Sequence, residues 1–413
     1  MTRPDASVLI LTWEYPPIVE GGLARHVGKL SGRLAADGVD VHVLTRGGRH
    51  VPAEEVHEGV RVHRMPAVEW PADPKRFFAW VGRMNADLLE TGRALAERFD
   101  FALIHGHDWL VADAALGLSD ELDRPLVMTI HATEYGRHQG WIVGQPQTRI
   151  HLAERRVVHR ADRVIACSEF MRGHIADVFS LDESLITVIA NGVDPPEVAD
   201  RPQPAALASL RLSLAAPDQR LVLMVGRLVY EKGFQLALDA LAGLIGRVPG
   251  VRFVVAGAGI AEAQLRAQAT SLGLDRHGTF LGWVDDTLLR SLYRVADVCV
   301  IPSIYEPSGL VALEAMAAGC ACVVADTGGL REVVAHEEVG LRFTTRDSRA
   351  LAAAVERLLA DEKLRRRLIA AAADHVLAFD WGEIARATAG VYGDLLATAG
   401  LTPAAAAGTH GPG

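Results

Sequence analysis

A chain of 413 residues is too long for one ordinary core, so two domains are the natural expectation. Half of its residues are hydrophobic and 23% are charged, which excludes a disordered chain. A net charge of −9 argues against nucleic-acid binding, because neutralising phosphates needs a basic surface.

Residues 1–7 hold no apolar core of signal-peptide length, and no apolar run approaches the ~20 residues of a spanning helix. The cysteines are Cys167, Cys299, Cys320 and Cys322, and no pair has zinc-ligand spacing. They read as buried, reduced thiols, and the protein as cytoplasmic.

The apolar run 8–12 has buried-strand length. A loop with Pro16-Pro17 and Gly21-Gly22 follows, then Leu23, Val27, Leu30 and Leu34 at helical spacing, then a strand over 39–44. Strand, glycine-rich loop, helix and strand open a doubly wound parallel sheet, whose ligands sit at strand carboxyl ends. At that end Gly21 and Gly22 either let backbone approach a phosphate or simply make a tight turn. Residues 59–65 suit an edge strand and 74–98 a helix. Its Phe77, Phe78, Trp80 and Val81, among Lys75, Arg76 and Arg83, suit weak membrane-surface contact, a groove or the core of their own domain.

A strand over 101–105 ends in His105-Gly106-His107-Asp108-Trp109, residues suited to polar recognition and ring stacking. Alternate histidines on a strand can chelate zinc, but the nearby sequence supplies no third ligand, so no metal site is expected. The strand 126–130 ends at His131, which either donates to a sugar hydroxyl or serves as a cap or core histidine. Strands follow at 164–166 and 186–189. Ser168 reads as a helix cap and Asn191-Gly192 as a turn.

Five prolines punctuate residues 195–219, which places the domain boundary there: 1–197 and 198–380. The αβ pattern then restarts. A strand over 221–225 leads into a loop carrying Arg227 and Lys232, and a helix spans 234–245. After a strand at 251–256, Gly257-Ala258-Gly259 has Glu262 where a dinucleotide fingerprint has its third glycine, so nicotinamide binding is poorly supported. Trp283 follows a short strand. Asp285-Asp286 resembles a metal pair but opens a helix, where acidic residues suit the dipole.

The strand 298–301 leads into residues 306–319, the stretch around which the second half is organised. Ser308 reads as the cap of a helix carrying Leu310, Leu313 and Ala317 on one face. Such a start offers free backbone N–H groups to a phosphate. Glu306 precedes the helix and Glu314 lies within it, at most roughly 12 Å apart along the axis. They are either two solvated glutamates or a pair that holds a sugar and a ribose across a diphosphate. A strand at 322–325 and a second glycine-rich loop, Asp326-Thr327-Gly328-Gly329, come next. Surface helices follow over 350–360 and 362–377, with a last helix within 381–398. The low-complexity tail 399–413 is expected to be disordered.

Two αβ domains with Gly-rich turns suggest a ligand held between them. Arg227, Lys232 and the helix start make a diphosphate site without a metal, and no Asp-x-Asp motif occurs in the chain. At this point the chain resembles the retaining glycosyltransferases of family 4, with the α/β GT-B fold of two facing Rossmann-like domains. Five stretches carry the resemblance, in family order. They are Trp13-Glu14-Tyr15-Pro16-Pro17 with Gly21-Gly22-Leu23, His105 through Trp109, Asn191-Gly192-Val193-Asp194, Gly226-Arg227-Leu228 with Glu231-Lys232-Gly233, and Glu306 through Glu314.

The resemblance implies catalytic roles for Glu306, His131, Arg227 and Lys232. Glu306 would hold the donor sugar, Glu314 the ribose, and His131 the sugar beside the reacting carbon. Arg227 and Lys232 would neutralise the diphosphate, approached by Gly21, Gly22 and the backbone of Ser308, Gly309 and Leu310. Trp283 would lie near the nucleobase, and Asp108 and Trp109 on the acceptor side. The last helix would cross back to the first domain. A nucleotide sugar would be substrate rather than cofactor, and no cofactor is implied. The motifs are similar to α-glucan synthases of the glycogen-synthase type, which take ADP- or UDP-glucose to an α-glucan or glucose 1-phosphate. Val19 stands where glycogen synthases proper carry lysine. Other readings are a GDP-mannose-dependent lipid or small-metabolite transferase, a nucleotide-sugar epimerase and an inactive sugar-binding protein.

Overall fold

The structure is a computed structural model that describes residues 7–67, 71, 73–194 and 203–400. The boundary expected at 197 and the tail beyond 400 lie outside the described residues. Two sheets organise the chain. The first holds β1 (Ser7–Leu11), β2 (Asp40–Gly47), β3 (Glu54–His57), β4 (Val60–Ala67), β5 (Phe101–His107), β6 (Leu126–Ile130), β7 (Arg163–Ala166) and β8 (Ile186–Val188). Their spatial order is β3-β4-β2-β1-β5-β6-β7-β8, parallel except for β3. The second holds β9 (Arg220–Val225), β10 (Val251–Ala256), β11 (Gly278–Gly282), β12 (Val298–Ile301), β13 (Ala321–Ala325) and β14 (Leu341–Phe343). Its order, β11-β10-β9-β12-β13-β14, is the doubly wound Rossmann arrangement.

The strands read as continuous apolar runs because helices cover both faces of each sheet. Leu9, Ile10 and Leu11 are fully buried, as are Val222, Val323 and Val324. In each sheet the strand order reverses beside the first strand, between β1 and β5 and between β9 and β12. Ligands of open α/β sheets sit at that crevice. The loops after β1, β5, β9 and β12 carry Gly21-Gly22, Asp108, Arg227-Lys232 and Glu306, respectively.

Several local expectations change. The run 59–65 is not an edge strand, because β4 pairs with both β2 and the antiparallel β3. The exposed, polar β3 gave no apolar alternation to read. The aromatic face of the helix Phe77–Ala96 packs on its own domain: Trp80 and Val81 are buried, and Phe77 and Phe78 pack against the same core. Hydrophobic burial there removes the surface that membrane contact would use. Among the described residues, no helix is long and apolar enough to cross a membrane. The four cysteines are unpaired and buried.

The helix Trp381–Thr398 returns to the first sheet. Trp381, Ile384, Val391 and Tyr392 join a core with Val8, Ile10 and Val27, and the Tyr392 hydroxyl meets His105 Nδ1 at 2.7 Å. Asn191-Gly192, read from the sequence as a turn, is where this helix is seated. A Cβ on Gly192 would lie 2.5 Å from the Trp381 ring.

Gly233 is packed against backbone behind the cleft. Its φ is +71°, and a Cβ there would stand 1.9 Å from the Pro302 carbonyl oxygen. Gly233→Ala is therefore expected to destabilise the protein by at least about 2 kcal/mol, since strain and backbone clash add. Urea unfolding would show it as a lower midpoint at unchanged slope.

Candidate functional site

The cleft is built from loops at the two switch points. On the first-domain side the loop after β1 is folded around Glu14, a buried carboxylate whose Oε2 accepts N–H bonds from Glu20 and, at 3.1 Å, Gly21. This presents Gly22 to the other domain: a Cβ there would lie 3.6 Å from Leu310 Cδ2. On the second-domain side the helix Leu310–Ala317 begins at Gly309, whose φ is +83°. Ser308 is not its cap, contrary to the sequence reading, because Gly309 takes the cap position and no side chain bonds the first turn. The Ala312 and Leu313 amides bond the Gly309 carbonyl at 2.9 and 3.2 Å, which leaves those of Leu310 and Val311 for a ligand or water.

Glu306 and Lys232 meet beside this helix start. Lys232 Nζ donates to Glu306 Oε2 at 2.8 Å, and Ser303 Oγ donates to the same oxygen at 2.9 Å. The Glu306 carbonyl accepts from Gly329 N–H at 2.9 Å, so the Asp326–Gly329 loop fixes its backbone. The Arg227 side chain is 54% exposed and lies 3.7 Å from Glu231. Glu314 accepts from Tyr293 Oη at 2.9 Å, and burial raises its pKa. Arg25 of the first domain reaches across to Asp286 and stands 4.0 Å from Glu314. An interdomain cavity of about 570 Å³ opens here, lined by Tyr15, Arg25, Tyr293, Leu310, Glu314 and Trp381 among others.

Asp285 caps its helix by accepting from Leu288 N–H, while Asp286 faces Arg25, so the acidic pair is structural. Trp283 is 66% exposed.

Asp108 sits at the end of β5 with φ +60° and ψ 170°, a region ordinarily left to glycine. The turn aims its carboxylate back at β6, where Oδ1 accepts the His131 N–H at 2.8 Å. Burial raises Asp108 to about 6, opposed by the nearby Arg137 charge. His131 Nε2 meets His107 Nδ1 at 3.1 Å, and burial, reinforced by Arg137, lowers its pKa to about 4. It is therefore a neutral imidazole at neutral pH. Trp109 is not an acceptor platform. It is buried in the first domain's core, with ring centroids 6.1 Å from Phe77 and 6.2 Å from Phe78. The reversal at Asp108 turns it inward.

Three further groups escaped sequence reading. Tyr305, from the second domain, is buried in the first domain's core against Gly136, and its hydroxyl accepts Thr133 N–H at 3.3 Å. Ser168 Oγ donates to Pro307 O at 2.6 Å, and Glu332 accepts the N–H groups of Glu169 and Phe170 at 2.9 and 2.8 Å. These contacts join the Glu306 loop to the first domain. Arg137 lies among Asp108, Glu154, Tyr305 and Glu134.

Glu154 is 1% exposed and accepts Glu134 N–H with both oxygens, at 2.9 and 3.1 Å. Burial outweighs those bonds and the Arg137 charge and raises its pKa from 4.5 to about 8. The folded state thus holds the proton more tightly than the unfolded chain. Stability falls as pH rises between those two values and levels off above the higher. Glu154→Gln keeps an oxygen for the Glu134 amide and removes the titration. It should flatten this slope and stabilise the protein by about 1–3 kcal/mol at mildly alkaline pH. Denaturant unfolding at acidic and alkaline pH tests it.

Comparison with known proteins agrees with this architecture. Residues 20–197 match the model of Glycosyltransferase Family 4, and residues 210–375 that of Glycosyl transferases group 1. The chain is 40% identical over 410 residues to a glycogen synthase of Mycobacterium tuberculosis, covering 93% of this chain and 94% of that one. It is 34% identical over 396 residues to a D-inositol 3-phosphate glycosyltransferase of Frankia alni, covering 92% and 96%. Among solved structures, sucrose-phosphate synthase from Thermosynechococcus elongatus superposes with a TM-score of 0.81 at 26% identity, covering 95% of this chain and all of that one.

Proposed function

The chain belongs to the family 4 glycosyltransferases of GT-B fold, and from that premise we propose that it moves glucose from ADP- or UDP-glucose to an α-glucan or glucose 1-phosphate with retained configuration. The observation that carries this reading is the Lys232–Glu306 pair, 2.8 Å apart beside the open start of the helix Leu310–Ala317. A cation, a carboxylate and unpartnered amides at a switch point suit a sugar diphosphate: amides and cation for phosphate, carboxylate for sugar hydroxyls. The likeness to a glycogen synthase supports glucose and a glucan acceptor.

In this reading the bond between the anomeric carbon and the phosphate oxygen breaks first, and the sugar becomes oxocarbenium-like. Arg227, Lys232 and the helix amides stabilise the charge growing on the diphosphate. The acceptor hydroxyl attacks from the same face. Its oxygen bonds the anomeric carbon, and its proton passes to the departing phosphate. Glu306 orients the sugar hydroxyls. Neutral His131 donates to the sugar next to the reacting carbon, with Asp108 bonding its backbone. Glu314 takes the ribose after Arg25 yields it. No metal takes part in this scheme, and the site is cytoplasmic.

The test is nucleoside diphosphate release from ADP-glucose, UDP-glucose and GDP-mannose, each with and without maltooligosaccharide or glucose 1-phosphate. Release from a glucose donor that rises with acceptor, and an α-anomeric product by NMR, supports the reading. An inverted anomer defeats retention. The likeness to a D-inositol 3-phosphate glycosyltransferase favours a second reading, a small phosphorylated polyol as acceptor, and release stimulated only by such an acceptor would establish it.

A further inference from the structure

We propose that His26, His107 and His131 form a site for a zinc-class divalent metal, and that loading it arrests sugar transfer. One ligand nitrogen from each imidazole lies within 4.8 Å of the other two. The three come from separate, well-anchored places: His26 from the helix Gly22–Ala36, His107 from the last residue of β5, and His131 from just beyond β6. Ring centroids are 4.7 Å apart for His26–His131, 5.4 Å for His107–His131 and 5.7 Å for His26–His107.

The donor state of the rings points to a ligand. His26 Nδ1 and His107 Nε2 are buried and have no hydrogen-bond partner, and both residues are more than nine-tenths buried. An unpaired buried nitrogen in a polar cluster is a standing vacancy for a bond. Burial also lowers the pKa of all three rings, so their lone pairs are free without displacing protons at neutral pH. Two charged groups stand beside the cluster: Asp108 accepts the His131 N–H at 2.8 Å, and Arg137 acts on His131 and is opposed by Asp108. Trp381, 5.4 Å from His26, and Asn191 complete the walls.

Three neutral imidazoles without a carboxylate select Zn²⁺, Ni²⁺ or Cu²⁺ over Mg²⁺ and Ca²⁺. Zinc–nitrogen bonds of about 2.0–2.1 Å set tetrahedral ligand nitrogens roughly 3.3 Å apart, a spacing that His107 and His131, in contact at 3.1 Å, already approach. His131 is the ring free to adjust, since it alone of the three is only partly buried. Its contact with His107 Nδ1 is exchanged for the metal. Of the alternate pair His105 and His107 in the sequence only His107 joins the site, and His26 and His131 reach it from other elements.

Arrest follows from the reading of His131 as the donor-sugar contact, on which this half of the proposal rests. A metal takes its nitrogen from the sugar and adds positive charge beside a carbon that must itself become cationic. Chelator-stripped full-length protein should bind one Zn²⁺ per chain, measured by competition with a chromophoric chelator, and Co²⁺ should give a visible tetrahedral spectrum. His26→Gln and His107→Gln should each weaken binding about tenfold or more. Zn²⁺ should inhibit diphosphate release, EDTA should restore it, and Mg²⁺ should leave it unchanged. Binding that persists undiminished in both variants, or no binding at micromolar Zn²⁺, overturns the site. Full turnover by zinc-loaded protein overturns the arrest. Thermal melts of metal-free variants check folding, and His26→Gln decides alone if His107→Gln is unstable. If metal-free protein turns over no donor, the functional reading fails separately, and stoichiometry still decides the site.

Discussion

Arg227→Ala should lower kcat/KM for diphosphate release by about two to three orders of magnitude, the loss typical of removing one preorganised charge contact to a transition state. The arginine is poorly used by the fold: its side chain is 54% exposed, and it lies 3.7 Å from Glu231. An exposed pair of that length contributes little stability, so the thermal melt should barely move. The function it serves in the proposed reaction is specific to the leaving group, whose charge grows as the glycosidic bond lengthens. Arg227→Lys should recover part of the rate through its point charge, but not all, because a two-pronged contact to phosphate is lost. A smaller change, confined to KM, would mean ground-state binding only.

The parallel sheets and the four loops at their switch points were legible in the sequence, because buried parallel strands are apolar runs and Gly-rich turns interrupt them. Lys232, Glu306 and the helix behind them were legible for the same reason: they are local to one motif each. What stayed hidden depends on tertiary packing. Glu14 looked like part of a motif, yet it is the buried post around which Glu20 and Gly21 turn. Nothing local marks Tyr305 as a side chain that enters the other domain. Trp109 looked like a stacking platform until the positive φ at Asp108 sent it into the core. Ser308 has capping chemistry, but Gly309 supplies the backbone conformation that starts the helix and takes its place. His26 lies on an amphipathic face that reads simply as core.

Glu306→Ala should reduce kcat/KM about a thousandfold, and its partner Lys232→Ala by a similar order. The carboxylate is 6% exposed and bonded to both Lys232 and Ser303, so removing it leaves a cation with only 20% side-chain exposure and no counter-charge there. Each single substitution should therefore destabilise the fold. The double variant should be more stable than the sum predicts, by about 1–3 kcal/mol, because it leaves no orphaned charge. Activity should behave otherwise: the pair works as one unit, so the double variant should be hardly worse than either single. Glu306→Gln separates charge from shape. It keeps an acceptor for Ser303 and loses the ion pair. If it retained full turnover, the carboxylate would be only the anchor of Lys232. A drop in kcat with a near-native melt would make its charge part of the transfer itself.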